Sequence, residues 1–390
     1  MQTLSAASFS RLEMSAALLV GSVALLMLGL QPILLGEMVA RQVITLEGVG
    51  IVAMGEIIAL GLGVVLGDAV LPLSRYRLIM VIAAVAVAVF NVATCYGAGD
   101  APLAALRAVA GLAEGVLVWV TTNIIVRSAK PDRLAAVFIV VQTLSQAGIA
   151  ALLAVLIVPR AGWQGGFVLV AVISLLVSLL VRFLPAGLKT LRAEGAQPVS
   201  WSFATLLPLV IVFFQMAAIG SLWAYLEPLG RAAGFDDQGA QTLISSVLVM
   251  QVLGGSLAIY AVRRLGAKAT LTGGAMVLAT IAFAIHQLPP GSMVTFSVLL
   301  AGFGFTWLFI MPFQIGLAFI ADPSGRIAVL IPAMQLLGSA IGPLIASFTV
   351  YGDEAGLVPL VSSTCAVLAF ALLLSGQRRL ASQTMRGEEA

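Results

Sequence analysis

The chain has 390 residues, of which 61% are hydrophobic and only 9% are charged, and its formal net charge is +3. Soluble domains contain about 25% charged residues, so this composition offers too little polar surface for a soluble globule. The basic residues are spread over many loops and form no cluster that would indicate a nucleic-acid partner. A single histidine, His286, argues against a histidine-based metal site, so we expect no metal cofactor.

Long apolar runs recur from one end of the chain to the other. A hydrocarbon core about 30 Å thick is crossed by about 20 helical residues, and each run has roughly this length. We therefore predict an all-α integral membrane protein with twelve transmembrane helices. The predicted spans are residues 14–36, 46–70, 78–98, 102–127, 134–158, 164–184, 203–226, 240–263, 269–288, 293–320, 327–350 and 355–376.

The best-marked break in the apolar pattern covers residues 184–201. This stretch contains two prolines, two glycines and three charged residues, and six predicted spans lie on each side of it. The sequence thus predicts two six-helix halves with pseudo-symmetry. We expect an N-terminal bundle at 1–185, a cytoplasmic inter-domain loop at 186–201 and a C-terminal bundle at 202–390.

The distribution of basic residues predicts the orientation of the spans. With both termini in the cytoplasm, only four of the 20 Lys and Arg residues fall at outer ends, namely Arg41, Arg107, Arg160 and Arg231. Cytoplasmic loops are enriched in basic residues, so this asymmetry favours the even span number. We expect a multi-pass protein of the inner (cytoplasmic) cell membrane with both termini inside.

Span two carries Glu56 within IVAMGEIIALGLG, near the middle of the membrane. Its sequence neighbours are small or aliphatic, so this carboxyl must be protonated, paired across helices or in contact with water. Ionisable groups in membrane spans face a bundle interior or a water-filled cavity and mark functional sites. Glu37 and Arg41, four residues apart at the outer end of span one, instead suggest a surface ion pair.

Span four carries Arg107 and Glu114, seven residues apart and therefore on one helix face with about 10 Å of rise between them. Gly111 lies between them and leaves room for a solute or a neighbouring helix. Burial and a nearby arginine have opposite effects on a carboxyl, so such a group can change protonation as its access to water alternates. We expect Glu56, Glu114 and Arg107 to couple transport to protons. A structural ion pair or hydrogen-bond network that fixes helix packing is the alternative for each of them.

The second half holds almost no mid-membrane charge and offers amides and aromatic rings instead. An uncharged cavity of this kind suits a partly apolar organic solute that a few hydrogen bonds orient. Interhelical hydrogen bonding is the alternative for each glutamine. Trp307 and Gln314 are seven residues apart on one face of span ten and form the favoured pair. The predicted substrate-binding residues are Gln31, Arg107, Glu114, Gln215, Gln251, Trp307, Gln314 and Gln335.

Short motifs accompany this layout. The loop between spans two and three reads GDAVLPLSRYR, and the loop between spans eight and nine reads VRRLGAK. Span four contains R-x-x-x-G at Arg107 and Gly111, and span six begins GWQGGF. Together with two six-span halves and a charged central loop, these motifs resemble those of the major facilitator superfamily over nearly the whole chain.

The resemblance implies residues that act in conformational change. In the loop between spans two and three they are Asp68 and Arg75, although their spacing differs from the signature of the superfamily. In the loop between spans eight and nine they are Arg264 and Gly266. A GxxxGP element adds Gly342 and Pro343 in span eleven, whereas efflux members often carry a G-P element in span five.

The resemblance implies a secondary active transporter that alternates access around a central site. We expect it to move a small organic solute with the proton as coupling ion, with a slight preference for export by antiport. Proton-coupled uptake of an organic or anionic metabolite by symport is the alternative. An integral-membrane enzyme is a remote one, because the G-x-S-x-G and H-E-x-x-H motifs are absent from the sequence. The expected partners are the substrate and the lipid bilayer, and the expected state is a monomer.

Overall fold

The computed structural model describes residues 9–188, 202–323, 326–352 and 354–387. In these ranges the regular structure is helical, with one isolated bridge between Tyr351 and Glu354. The helices are α1 (Arg11–Ala24), α2 (Leu26–Ala40), α3 (Gly48–Val70), α4 (Tyr76–Thr94), α5 (Asp100–Arg127), α6 (Pro131–Leu152), α7 (Val158–Ser178), α8 (Phe203–Ala224), α9 (Leu226–Ala232), α10 (Asp237–Ala261), α11 (Ala267–His286), α12 (Met293–Ala321), α13 (Arg326–Ser347) and α14 (Val358–Gly387).

The described residues contain 11 continuous helical stretches that are long and apolar enough to cross a membrane. One of them, Arg133–Phe183, has 51 residues, more than twice the length that a single span requires. It passes through a π-helical turn at Leu153–Ile157 and a non-helical residue, Gly162, with φ of 60° and ψ of −166°. The chain turns at Gly162, so this stretch accommodates both spans predicted at 134–158 and 164–184. The predicted all-helical membrane fold is confirmed.

The first span is built from α1 and α2, which meet at Leu25. Ser10 and Glu13 form a capping box at the start of α1, which satisfies backbone N–H groups that a helix start leaves free. At the junction, Gln146 of α6 donates from Nε2 to the carbonyl oxygen of Leu25 at 2.6 Å. Gly29 leaves space for this side chain, because a Cβ there would lie 2.7 Å from Gln146 Cβ. The interruption of the first span is therefore closed by a hydrogen bond from another helix.

Helices α3 and α5 pack against each other along a row of glycines. A Cβ on Gly111 would overlap the carbonyl oxygen of Glu56, and a Cβ on Gly115 would overlap that of Leu60. Gly63 of α3 faces Gly115 and approaches the backbone of Leu112 in the same way. Small residues permit this backbone contact between membrane helices. We call Gly63, Gly111 and Gly115 the α3–α5 glycine seam, and it places Glu56 directly beside α5.

A similar arrangement joins α8 and α13 in the second half. Cβ atoms on Gly338 and Gly342 would overlap the carbonyl oxygens of Phe213 and Ala217, and one on Gly220 would lie 2.6 Å from that of Ser339. Gly342 is therefore explained by close helix packing, next to Pro343 inside α13. Glycines thus bring helix backbones into contact in both halves, and in the second half Gly254 of α10 also meets the carbonyl oxygen of Phe305 of α12.

The chain forms two compact units, Met1–Gly195 with Asp236–Val249 and Ala196–Phe235 with Met250–Ala390. In the first unit, Gln241 of α10 donates from Nε2 to Glu37 Oε2 at 3.3 Å. The predicted bundles at 1–185 and 202–390 stay a prediction. From residue 189 onward, the predicted loop at 186–201 lies outside the described residues.

The α3–α5 glycine seam predicts an unequal response to adding one methyl group. Gly115→Ala forces the helices apart and should lower the free energy of unfolding by about 1–3 kcal/mol, the usual cost of overpacking. Gly148→Ala in α6 is the matched control, because nothing lies within 4 Å of a Cβ there; it should leave stability unchanged or improve it. Thermal unfolding in detergent micelles measures both. Equal stability of the two variants would contradict the seam.

Candidate functional site

The centre of the first unit contains a buried arginine between two glutamates. Arg107 Nη2 forms an ion pair with Glu56 Oε1 across the α3–α5 seam and another with Glu114 Oε1 at 3.3 Å. The side chains of Arg107 and Glu56 are 1% and 0% exposed, and that of Glu114 is 2% exposed. The predicted sharing of one helix face by Arg107 and Glu114 is confirmed, and Glu56 is paired across helices.

Two further helices hold the guanidinium of Arg107. Its Nη1 donates to Asn91 Oδ1 of α4 at 3.0 Å. The ring of Phe167 from α7 lies beneath the guanidinium, with Cζ at 5.1 Å from the ring centroid. A cation above an aromatic face is attracted by the negative face of the ring. Four helices therefore contribute to one cluster, which we call the Arg107 cluster: Glu56, Asn91, Arg107, Glu114 and Phe167.

Glu56 and Glu114 receive different numbers of hydrogen bonds from the surrounding protein. Glu56 accepts from Arg107 with one oxygen and from Gln31 Nε2 with the other, at 3.1 Å, so both oxygens have donors. Glu114 Oε1 accepts from Arg107 at 3.3 Å, and no donor reaches its Oε2 in the described part of the chain. The other polar neighbour of Glu114 is the carboxyl of Glu56. Buried polar atoms are nearly always bonded, so Glu114 Oε2 and Arg107 Nε, which also has no partner among the described residues, are the unsatisfied polar atoms of the cluster.

The second unit contains a chain of amide hydrogen bonds. Gln335 Nε2 donates to Gln314 Oε1 at 2.7 Å, and Gln314 Nε2 donates to Gln215 Oε1 at 3.0 Å. Gln215 Nε2 then donates to the carbonyl oxygen of Leu271 at 3.3 Å. The chain connects α13, α12, α8 and α11, so three of the predicted glutamines do link helices. Gln335 is only half-buried, so the end of the amide chain is the accessible part.

The tryptophans and Gln251 complete the polar and aromatic groups of this unit. Trp223 and Trp307 pack edge to face with ring centroids 5.2 Å apart, and Phe303 lies 6.0 Å from Trp307. Gln251 is 2% exposed, and its Nε2 has no partner within the described ranges. Gly255, one turn along α10, lies next to Leu308 of α12, so Gln251 lies near the helix that carries Trp307.

The residues implied in conformational change lie mostly at helix ends. Asp68 accepts from Trp119 Nε1 at 3.3 Å, and Arg75 is exposed at the end of the 3₁₀ turn Leu73–Arg75. Arg264 and Gly266 are exposed before α11, and a Cβ on Gly266 would meet nothing within 4 Å. Their conformational role stays a prediction. The predicted i,i+4 pair at the end of span one is present, with Arg41 Nε at 2.9 Å from Glu37 Oε1, but its placement at the surface is wrong for Glu37, which is buried.

Sequence reasoning missed Asn91 and Phe167. Asn91 stands in VAVAVFNVAT, where an amide in an otherwise apolar span is the kind of polar residue that needs a partner across helices. That signal was available. Phe167 carried none, because a phenylalanine in an apolar span is ordinary, and only the packing of α7 places it beneath Arg107.

Comparison with known protein families identifies one family that matches most of the chain. The model of the Major Facilitator Superfamily matches residues 14–343 of the chain. Among curated proteins, no sequence matches the chain significantly.

Several solved transporter structures have folds similar to that of this chain. A crystal structure of a mutant of the nucleoside transporter NupG is similar with a TM-score of 0.73 at 13% identity, covering 93% of this chain and 99% of that one. The D-xylose-proton symporter is similar with a TM-score of 0.64 at 17% identity, covering 93% and 95%. A bacterial homolog of the human lysosomal transporter Spinster, in an inward-facing and occupied conformation, has a TM-score of 0.64 at 14% identity, covering 94% and 96%.

The Arg107 cluster predicts a strong dependence of stability on charge compensation. Arg107→Met leaves Glu56 buried without its cation and should cost about 3–5 kcal/mol, the usual penalty for breaking a buried pair. Adding Glu56→Gln should recover part of this loss, because the amide carries no charge. Arg160→Met, at an exposed position, is the control and should change stability by less than about 1 kcal/mol. Denaturation in detergent measures all three, and additive losses in the double variant would contradict the pairing.

Proposed function

We propose that this chain, which belongs to the major facilitator superfamily, is a secondary active transporter driven by the proton gradient. Its family identifies it as a membrane transporter for a small molecule and not as an enzyme. We place it in the inner cell membrane as a monomer with both termini in the cytoplasm. The arrangement of the Arg107 cluster is the observation that carries the proposal.

The charge balance of the cluster supports proton coupling. Two carboxylates and one guanidinium would leave a net charge of −1 in a site that is almost wholly buried. An uncompensated charge in low dielectric is costly, and two nearby carboxylates resist joint ionisation. One bound proton removes the net charge. The buried cluster therefore holds a proton that it must release when water reaches it and the carboxyl ionises.

Glu114 is the carboxyl that we assign to this proton. Glu56 accepts two donors, from Arg107 and Gln31, which stabilise its ionised form. Glu114 accepts one long bond from Arg107 and lies beside the carboxyl of Glu56, and no donor reaches its Oε2 among the described residues. A protonated Glu114 is the lower-energy choice, because a neutral carboxyl loses less than a carboxylate when its oxygen lacks a donor. Loading and unloading this proton from opposite sides would link its movement to that of the solute.

The uncharged polar groups of the second unit support the proposal that the solute is neutral and polar. Its polar groups include the buried Gln215, Gln314 and Gln251 and the half-buried Gln335, all of them uncharged. Amides offer both donors and acceptors, and the Trp223–Trp307 pair offers an apolar face. Such groups match a solute with several hydroxyl or amide groups. NupG and the D-xylose-proton symporter, which share the fold, act on a nucleoside and on a sugar.

We propose export as the first candidate for the direction of transport and uptake as the second. The short loops between spans favour export by antiport, as in the drug and metabolite exporters of the superfamily. The similarity in fold to the D-xylose-proton symporter favours uptake by symport as the second candidate. Both use the same cluster, since each alternates a protonated and an ionised carboxyl.

Proteoliposomes distinguish coupling from simple passage. The protein is reconstituted, a pH gradient is imposed, and a pool containing D-xylose, uridine and other metabolites and drugs is offered, with internal solutes identified by mass spectrometry. Glu114→Gln should abolish gradient-driven movement while exchange of the same solute without a gradient persists. Glu354→Gln, at an exposed loop position, is the matched control and should behave as the unaltered protein.

The sign of the gradient that drives accumulation assigns antiport or symport. Undiminished gradient-driven transport in Glu114→Gln would exclude this carboxyl as the proton carrier. Product formation without net movement of a solute would contradict the transporter itself.

Gln314→Leu tests recognition by the second unit. The change leaves Gln335 Nε2 and Gln215 Oε1 without their amide partner, so solute exchange should fall at least about tenfold, equivalent to one lost hydrogen bond in a buried site. The Arg107 cluster is untouched by it. Gln238→Leu, at an exposed position of α10, is the control. Exchange at the normal rate in Gln314→Leu would remove the amide chain from the site.

A further inference from the structure

We propose that Asn91 is a positioning residue that sets the proton affinity of the Arg107 cluster by holding Arg107 away from Glu114; the inference rests on the proposed proton coupling. Asn91 lies in the last turn of α4, is 0% exposed and stands among alanine, valine and phenylalanine residues. A buried amide in such a span is retained where it has a specific partner.

The orientation of the amide is fixed by its own helix. Asn91 Nδ2 donates to the carbonyl oxygen of Val87 at 2.8 Å, one turn earlier in α4. This bond uses the donor group, so Oδ1 is the atom left to face Arg107. Oδ1 accepts from Arg107 Nη1 at 3.0 Å. The hydrogen-bond network thus assigns the amide as a pure acceptor toward the guanidinium.

Because Asn91 Oδ1 is a neutral acceptor, it changes the position of the Arg107 guanidinium without changing its charge. It holds one end of the guanidinium without cancelling its charge, so the full positive charge remains for the two carboxylates. It also competes for the donor that could otherwise turn to Glu114 Oε2, which has no partner among the described residues. Phe167 fixes the plane of the guanidinium from the other side. Arg107 is therefore kept close to Glu56 and only loosely bonded to Glu114.

The charged and titratable groups around Asn91 are few. Helix α3 contributes Glu56, and α5 contributes Arg107 and Glu114. From α2 and α7 come Gln31 and Phe167, neither of which titrates. At the C-terminal cap of α4, the thiol of Cys95 lies one turn away and donates to the backbone oxygen of Asn91 at 3.6 Å.

Two substitutions at this position should move the cluster in opposite directions. Asn91→Leu frees Arg107 Nη1 to bond Glu114 Oε2, which stabilises the carboxylate, so the proton is lost at lower pH. Asn91→Asp adds a negative charge and draws Arg107 away, so the proton is retained to higher pH. We expect shifts of about one pH unit each way, a tenfold change in proton affinity. A residue that served packing alone would not give shifts of opposite sign.

Infrared difference spectroscopy measures this without a known substrate. The carboxylic acid C=O stretch of the purified protein in detergent is followed as pH is raised, and its midpoint is compared between variants. The matched control is Asn123, a buried asparagine of α5 that likewise donates to the carbonyl one turn earlier, at 2.9 Å, and accepts from Arg127 at 2.5 Å. Asn123→Leu and Asn123→Asp should leave the midpoint unchanged.

The outcomes distinguish the proposed proton coupling by Glu114 from the positioning role of Asn91. Loss of the band in Glu114→Gln identifies the proton carrier, and persistence of the band would overturn the proposed function. If Glu114→Gln removes the band but both Asn91 variants keep the midpoint, only the positioning role is overturned. Where Asn91→Leu does not fold, Asn91→Ser replaces it, since the shorter side chain also loses the bond to Arg107 and should shift the midpoint in the same direction.

Discussion

The structure depends on one constraint, the compensation of charge inside an apolar bundle. Arg107 and Glu56 can be almost wholly buried only because each supplies the charge that the other needs, and the penalty for removing either is large. The surrounding helices contribute neutral or aromatic groups to the same centre. An ionised Glu114 would bring one charge more than the pair can cancel, and the proposed proton coupling follows from this excess.

The fold and part of the site were predictable from the sequence because membrane helices obey simple rules. Hydropathy and span length located the helices, and the helical period placed Arg107 and Glu114 on one face. The junction at Gly162 between the fifth and sixth spans also lay where the apolar pattern paused. These features depend on local sequence alone.

The remainder depended on which helices meet. No local signal says that α3 and α5 lie in backbone contact, so Glu56 could be placed at mid-membrane but not assigned to Arg107. The glutamines of the second half posed the same problem: as single residues they fitted solute binding and helix linkage equally well. The structure shows Gln215, Gln314 and Gln335 bonded in series, which joins the two interpretations, because a fixed chain of amides also orients its free end.

The α3–α5 glycine seam has a consequence for electrostatics. Helices usually pack with axes 8–10 Å apart, and side chains at the contact decide the value. Gly111 and Gly115 have no Cβ atoms where they meet the opposite backbone, so the two helices approach closely. This approach sets the distance between Arg107 on α5 and Glu56 on α3. Coulomb energy varies inversely with that separation and is steepest where water is excluded. Gly111 and Gly115 thereby influence the strength of the Arg107–Glu56 ion pair, although neither glycine carries a charge.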